Sequence, residues 1–66
     1  MEMIRVRSSA IAEIGYDPSS RRMKITFNQG HTYGYCGVPP HIFDGLLRAS
    51  SKGSYYNDFV RDRYQC

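Results

Sequence analysis

The hydrophobic periodicity of this 66-residue chain changes at Pro39-Pro40, and this change constrains the fold more than any other feature. Before the two prolines, apolar and polar residues alternate as they do in β-strands. After them, apolar residues recur at the spacing of an amphipathic helix. Proline cannot donate to a strand ladder and suits the first turn of a helix. The chain is therefore predicted to form a sheet first and helices second.

Three strands are predicted before the prolines. The first covers residues 10–16, where the apolar positions change parity and a bulge near Ala12-Glu13 or at Gly15 would restore a single apolar face. Residues 1–7 also alternate, as at the beginning of a strand, but Ser8-Ser9 interrupts them.

The other two predicted strands are residues 21–28 and residues 31–38. The earlier one has an apolar face made of Met23, Ile25 and Phe27. The later one has a face made of His31, Tyr33 and Tyr35. Alternation of this kind is typical of half-buried antiparallel strands.

Turn chemistry separates the predicted strands. Asp17-Pro18-Ser19-Ser20 is predicted to be a turn, because Asp accepts local backbone hydrogen bonds and Pro presets φ at the second turn position. Asn28-Gln29-Gly30 is predicted to be a hairpin loop in which Gly30 takes a positive φ.

Two helices are predicted after the prolines. The apolar stripe of the first consists of Ile42, Phe43, Leu46, Leu47 and Ala49. Gly45 within this helix costs about 1 kcal/mol relative to Ala, which a close backbone contact would explain. Ser54 is predicted to cap the second helix, Tyr55–Tyr64.

These elements predict an α+β domain that covers residues 1–66. Its architecture is a three-stranded antiparallel β-meander followed by two short helices packed on one face, in the order β-β-β-α-α.

Length and composition exclude several classes of protein. The chain can hold one domain, and no apolar run approaches the roughly 20 residues of a membrane span. Without the apolar region of a signal peptide at its N-terminus, the protein is expected to be cytoplasmic, with Cys36 and Cys66 as free thiols. Six Tyr and three Phe are the rings that such a small core needs.

The sequence predicts no enzyme, metal site or cofactor. His31 and Cys36 point to opposite faces of one strand, which disfavours a catalytic pair. His41 is able to approach Cys36 across the double proline, but no third group is present to orient the histidine. Cys36 is instead expected to be a small buried hydrophobic residue. No metal-binding spacing exists, and Gly34 and Gly37 do not open a helix as a phosphate-binding loop requires.

Basic residues interleaved with tyrosines are the remaining candidate for a site. Arginine binds phosphate and exposed aromatic rings stack on bases, so these residues indicate single-stranded RNA or DNA as a partner. The candidates are Arg21, Arg22, Lys24, Tyr33, Tyr35, Arg61 and Arg63. The alternative is that the tyrosines pack beneath the helices and that the basic residues, in a chain of net charge +3, form an ordinary solvated face.

The order of these motifs resembles the KTSC domain, which occurs at the C-terminus of some lysyl-tRNA synthetases and as a free-standing bacterial or phage protein. The resemblance extends over residues 8–64. It is carried by Ser8-Ser9-Ala10-Ile11, Ile14-Gly15-Tyr16-Asp17, Phe27-x-x-Gly30, Tyr33-x-Tyr35, Val38-Pro39, the run from Leu46-Leu47 to Tyr55, and Arg61-x-x-Tyr64. The synthetase context implies RNA binding, with Tyr33-x-Tyr35 as either a binding platform or a packing signature.

Two other functions are compatible with the sequence. The first is a protein-interaction module, of phage or prophage origin, that docks on a host protein through a strand edge or an aromatic patch. An exposed patch containing Tyr55, Tyr56 or Tyr64 would favour it. The second is an enzyme that uses Cys36 with His41, which lacks an orienting group.

Overall fold

The computed structural model describes residues 1–66 and contains four strands and two helices. The α+β class is confirmed, but the prediction of three strands is wrong. The elements are β1 (Met3–Arg5), β2 (Ile11–Asp17), β3 (Arg22–Phe27), β4 (Thr32–Tyr35), α1 (Pro40–Arg48) and α2 (Lys52–Phe59).

The additional strand, β1, arises from a turn at Ser8. The Ser8 hydroxyl accepts hydrogen bonds from the backbone N–H groups of Ala10 and Ile11, at 3.1 and 3.2 Å. The chain therefore reverses, and β1 pairs antiparallel with β2 so that Ile4 lies opposite Ile14. Alternation along residues 1–7 gives no information about this pairing partner, so the sequence predicts one strand too few.

The sheet has the order β1-β2-β3-β4, with every neighbouring pair antiparallel. The register shifts between Ile11 and Glu13, which confirms the bulge at the first of the two predicted positions. Because the bulge changes the parity of the strand, Ile11 and Ile14 both point into the core and are fully buried.

Both predicted turns are confirmed. The Asp17 carboxylate accepts hydrogen bonds from the Ser19 hydroxyl at 2.8 Å, the Ser20 hydroxyl at 3.0 Å and the Ser19 N–H at 3.1 Å. These bonds, led by that of the Ser19 side chain, hold the pKa of Asp17 below its ordinary value. Gly30 has φ +101°, which other residues resist.

Helix α1 begins at Pro40, as the double proline predicts, and Gly45 has the close contact that its position requires. The ring of Tyr55 from α2 lies directly over Gly45, where a Cβ atom would approach Tyr55 Cζ to 2.7 Å. Glycine at this position allows the two helices to pack together.

Helix α2 begins and ends earlier than predicted. The Ser51 hydroxyl, not that of Ser54, caps it by accepting a hydrogen bond from the Ser54 N–H at 3.4 Å. The helix ends at Phe59 instead of Tyr64, and Asp62 with φ +63° turns the chain away. The predicted cap was wrong because two serines near this boundary have the same local propensity.

The core lies between the helices and one face of the sheet. Nine buried residues form it: Ile11, Ile14, Met23, Ile25, Tyr35, Val38, Ile42, Leu46 and Val60. The opposite face of the sheet carries charged and small residues, including Glu13, Arg22, Lys24 and Gly34.

The expectation of free thiols is wrong, because Cys36 and Cys66 form a disulfide across a sequence separation of 30. Cys36 is partly exposed and not the buried hydrophobic residue that was expected. The Cys36 N–H also donates to the Tyr64 carbonyl at 2.8 Å, so the C-terminal residues are attached at the end of β4.

Neither helix has the length and apolarity needed to cross a membrane.

Candidate nucleic-acid interface

Tyr33 and Tyr35 project from the same face of β4, as the alternation predicts, but they lie in different environments. Tyr35 pairs with Met23 beneath the helices and is 7% exposed, whereas Tyr33 pairs with Ile25 near the hairpin and is 53% exposed. One tyrosine of the pair is therefore part of the core, and the other is available to a ligand.

A series of edge-to-face aromatic contacts connects the exposed tyrosine to the core. The Tyr33 and Phe27 ring centroids lie 5.7 Å apart at 65°, and those of Phe27 and Tyr56 lie 5.1 Å apart at 77°. Tyr56 in turn contacts Tyr35 at 6.0 Å and 73°. Such pairs are favoured by the ring quadrupoles, so the Tyr33 ring rests on a fixed support.

The inner end of this series is fixed by a hydrogen bond. The hydroxyl oxygens of Tyr35 and Tyr56 are 2.8 Å apart, which joins β4 to α2. Burial, together with this hydrogen bond to Tyr56, raises the pKa of Tyr35 well above its ordinary value. Tyr35 therefore keeps its phenolic proton at any physiological pH and serves a structural role.

The exposed end of the series opens into a pocket of about 500 Å³. Its lining residues are Phe27, Gln29, Tyr33, Tyr56 and Arg61, and we call it the tyrosine pocket. None of these side chains carries a negative charge, and one carries a permanent positive charge. The pocket thus combines aromatic rings, an amide and a guanidinium.

Arg61 reaches the tyrosine pocket from the C-terminal end of α2. Its backbone N–H donates to the Tyr56 carbonyl at 2.8 Å, which fixes its backbone against the end of the helix, and both residues line the tyrosine pocket. Its guanidinium has one ionic neighbour, Asp62, with Nε and the carboxylate 3.9 Å apart. Both groups are exposed, and an ion pair of this kind contributes little, so Arg61 can bind a phosphate instead.

The other predicted basic residues do not converge on this pocket. Lys24 lies opposite Gly15 and Gly34, and it shares with Arg22 the sheet face that points away from the core. Arg21 lies in the turn before β3 with φ +59°. Arg63 is exposed in the C-terminal turn and does not line the pocket. The structure therefore brings together Tyr33 and Arg61 from the predicted set.

Sequence reasoning missed three members of the pocket. Phe27 ends the strand before the hairpin loop and Gln29 lies within that loop. The register of the hairpin already places Phe27 diagonally across from Tyr33. Tyr56 lies within the predicted second helix, but nothing in the local sequence shows that this helix reaches the hairpin end of the sheet.

The residues named for the other two functions are also placed by the structure. Tyr55, Tyr56 and Tyr64 are all partly buried, and the exposed aromatic residue of α2 is Phe59, at 47%. The sulfur of Cys36 is bonded to Cys66 and is not present as a thiolate. No group of three His, Cys, Asp or Glu side chains is arranged to hold a metal ion.

The sequence and the structure of this chain are both similar to those of one family of known proteins. The sequence profile of the KTSC domain matches residues 7–64. A crystal structure of a KTSC domain protein from Yersinia pestis superposes with a TM-score of 0.94 at 35% identity, covering 98% of this chain and 92% of that one.

Two relatives illustrate the contexts in which similar chains occur. A protein of Tsukamurella paurometabola is 45% identical over 60 residues, which is 91% of this chain and 90% of that protein. A lysine–tRNA ligase of Nostoc punctiforme is 29% identical over 63 residues, which is 96% of this chain but 11% of the ligase.

Proposed function

This chain belongs to the KTSC domain family, and from that premise we propose that it is a small non-enzymatic module that binds single-stranded RNA or DNA at the tyrosine pocket. The observation that carries the proposal is the position of Tyr33, which is 53% exposed and borders the same pocket as Arg61.

The tyrosine pocket has the parts that single-stranded nucleic acid needs. A base stacks on the exposed Tyr33 ring, which Phe27 supports from its edge at 5.7 Å. The Arg61 guanidinium binds the adjoining phosphate, and the Gln29 amide offers both a donor and an acceptor to a base edge. Because the Tyr33 support is already packed, ordering it on binding costs little entropy.

Two further observations support a nucleic-acid partner. The chain has a net charge of +3, and no carboxylate lines the tyrosine pocket. The Asp62 carboxylate lies beside it, 3.9 Å from Arg61 Nε, but the lining itself does not repel a phosphate backbone. Lysine–tRNA ligases carry a homologous segment, which associates the family with proteins that handle tRNA.

Fluorescence anisotropy with labelled oligouridine, oligoadenine and tRNA, titrated at increasing salt, tests the proposal. We expect binding at about 50 mM salt that weakens as salt increases, because phosphate contacts release counterions. Tyr33→Ala should weaken binding by about 1–3 kcal/mol, the range for loss of one stacked base, while Tyr33→Phe should retain it.

Two arginine variants distinguish this site from general electrostatic attraction. Arg61→Gln should lower the dependence of log K on log salt by about 0.7 for a single strand. Arg22→Gln removes the same charge from the sheet face that points away from the core, and it should change the affinity less than Arg61→Gln does. Absence of binding at low salt, or equal affinities for Tyr33→Ala and the unmodified protein, would refute the proposal.

A further inference from the structure

A second pocket lies at the opposite edge of the sheet, between β1 and the beginning of α1. Its volume is about 710 Å³. The lining residues that matter here are Ile4, Tyr16, Phe43, Glu2 and Asp44, and we call it the β1 groove. The nucleic-acid site does not involve it, because the two pockets share no residue.

The floor of the β1 groove is apolar and well supported. The Tyr16 and Phe43 rings stack with centroids 4.6 Å apart and planes 11° apart. The Tyr16 hydroxyl donates to the Val38 carbonyl at 2.7 Å, which fixes the orientation of its ring. Ile4 lies beside them and is 45% exposed, so a branched aliphatic side chain faces solvent at the groove. An apolar ligand group would bury this surface.

The outer edge of β1 offers backbone groups next to this floor. β1 is a terminal strand of the sheet, and the Val6 N–H donates to the Ala12 carbonyl of the neighbouring chain segment at 3.0 Å. Because the direction of backbone groups alternates along a strand, those of Ile4 also face β2 and those of Met3 and Arg5 face outward. At the other edge, by contrast, the Cys36 N–H is bonded to the Tyr64 carbonyl.

The charge of the β1 groove is opposite to that of the protein. The chain carries +3 overall with its histidines neutral, yet Glu2 and Asp44 line this groove, together with His41, and no Lys or Arg does. Asp44 pairs with the exposed Arg48 at 3.2 Å, and Glu2 pairs with no basic side chain. A nucleic acid is disfavoured at such a site, whereas a cationic side chain is favoured.

From these three features we infer that the β1 groove binds an extended peptide segment of another protein that contains an apolar residue and a nearby Lys or Arg. The segment adds a strand beside β1 and bonds to the outward backbone groups of Met3 and Arg5. Alternate side chains of an added strand lie on the same face as Ile4, so they reach the stacked rings of Tyr16 and Phe43. The basic residue lies against Glu2 or Asp44.

The probe for this inference is a labelled peptide with blocked termini, Lys-Thr-Val-Thr-Val-Thr-Lys, whose lysines and valines share one face when it is extended. We expect saturable binding in fluorescence anisotropy and amide shift changes at Met3, Ile4 and Arg5 in NMR spectra. Replacing both lysines of the peptide by glutamate should weaken binding at least about tenfold, which corresponds to about 1.4 kcal/mol.

Variants of the protein test each element of the groove. Ile4→Thr keeps the β-branched shape and removes apolar surface, so affinity should fall about fivefold or more. Glu2→Gln should weaken binding of the lysine peptide and leave that of an alanine-substituted peptide unchanged. Tyr33→Ala, in the tyrosine pocket, is the matched control and should bind the peptide as the unmodified protein does.

The backbone contribution can be tested from either partner. Arg5→Pro removes an N–H that faces outward and should weaken binding without disturbing the pairing with β2. Should this variant fail to fold, N-methylation of alternate peptide amides removes the equivalent bonds without any change in the protein. One of the two N-methylated registers should lose binding and the other should keep it.

Several results would overturn the inference. One is the absence of peptide binding at concentrations up to about 1 mM. Another is a peptide affinity that neither Ile4→Thr nor N-methylation changes. A third is a change in the amide shift of Ile4 that an oligonucleotide causes and the peptide does not. A dimer in analytical ultracentrifugation that Ile4→Thr dissociates would also overturn it, since the occupant would then be a second copy of this chain.

Discussion

The Tyr55 ring covers the backbone of Gly45 so closely that a methyl group at that position would approach Tyr55 Cζ to 2.7 Å and the hydroxyl oxygen more closely still. The contact joins α1 to α2. It also reverses the usual ranking of Ala over Gly inside a helix, because steric overlap here outweighs helix propensity.

We predict that Gly45→Ala destabilises the protein by up to about 2 kcal/mol, which is an overpacking cost of roughly 1–3 kcal/mol less a gain of about 1 kcal/mol in helix propensity. In a Tyr55→Ala background the obstruction is gone, and the same substitution should stabilise by about 1 kcal/mol. Urea unfolding of the four proteins of this double-mutant cycle measures both effects. Asn57→Ala is the control: it lies at an exposed position of α2, so its effect on stability measures helix propensity without a packing contribution. Stabilisation by Gly45→Ala in the presence of Tyr55 would show that the ring moves aside without cost.

The disulfide leads to a second prediction, because it closes a loop with a sequence separation of 30. Cys66→Ser should lower the free energy of unfolding by about 3 kcal/mol, within the usual range for loops of this length. A reductant should destabilise the unmodified protein to the same extent and leave Cys66→Ser unchanged. Denaturant unfolding with and without reductant makes the comparison. Identical midpoints for the oxidised and reduced protein would contradict the prediction.

The buried hydroxyl of Tyr35 predicts a loss of stability in alkali. Burial and the hydrogen bond to Tyr56 raise the pKa of Tyr35 above its unfolded value of about 10. The unfolded chain therefore releases this proton first, and the stability that is fully present below about pH 10 is lost progressively as the pH rises towards the folded pKa.

Tyr35→Phe should flatten this alkaline decline and remove one late step from the phenolate absorbance titration. Part of the decline should remain, because burial also raises the pKa of Tyr55. Tyr35→Phe should also lower stability at neutral pH by about 1 kcal/mol, since the Tyr56 hydroxyl loses its partner. An unchanged alkaline decline in Tyr35→Phe would assign the effect to another group.

Several elements follow directly from the sequence because their causes are local. The Asp17 turn is stabilised by serines two and three residues away, at 2.8 and 3.0 Å. α1 begins at Pro40 because proline is preorganised for a helix start, and the parity change before Ile14 requires the bulge that the register shows. Such features depend on local bond geometry and on hydrophobic periodicity, and both can be read from neighbouring residues in the sequence.

Other features depend on which distant residues meet. The sequence alone determined that Tyr33 and Tyr35 share a strand face, and it identified Tyr33 and Arg61 as candidates for one function. Only the tertiary structure decided that the helices cover Tyr35 and leave Tyr33 exposed, and that the end of α2 brings Arg61 to the same pocket. It also paired Cys36 with Cys66 and made β1 a separate strand. The physical reason is that exposure and pairing are set by long-range packing, and local alternation is the same for a covered and an uncovered position.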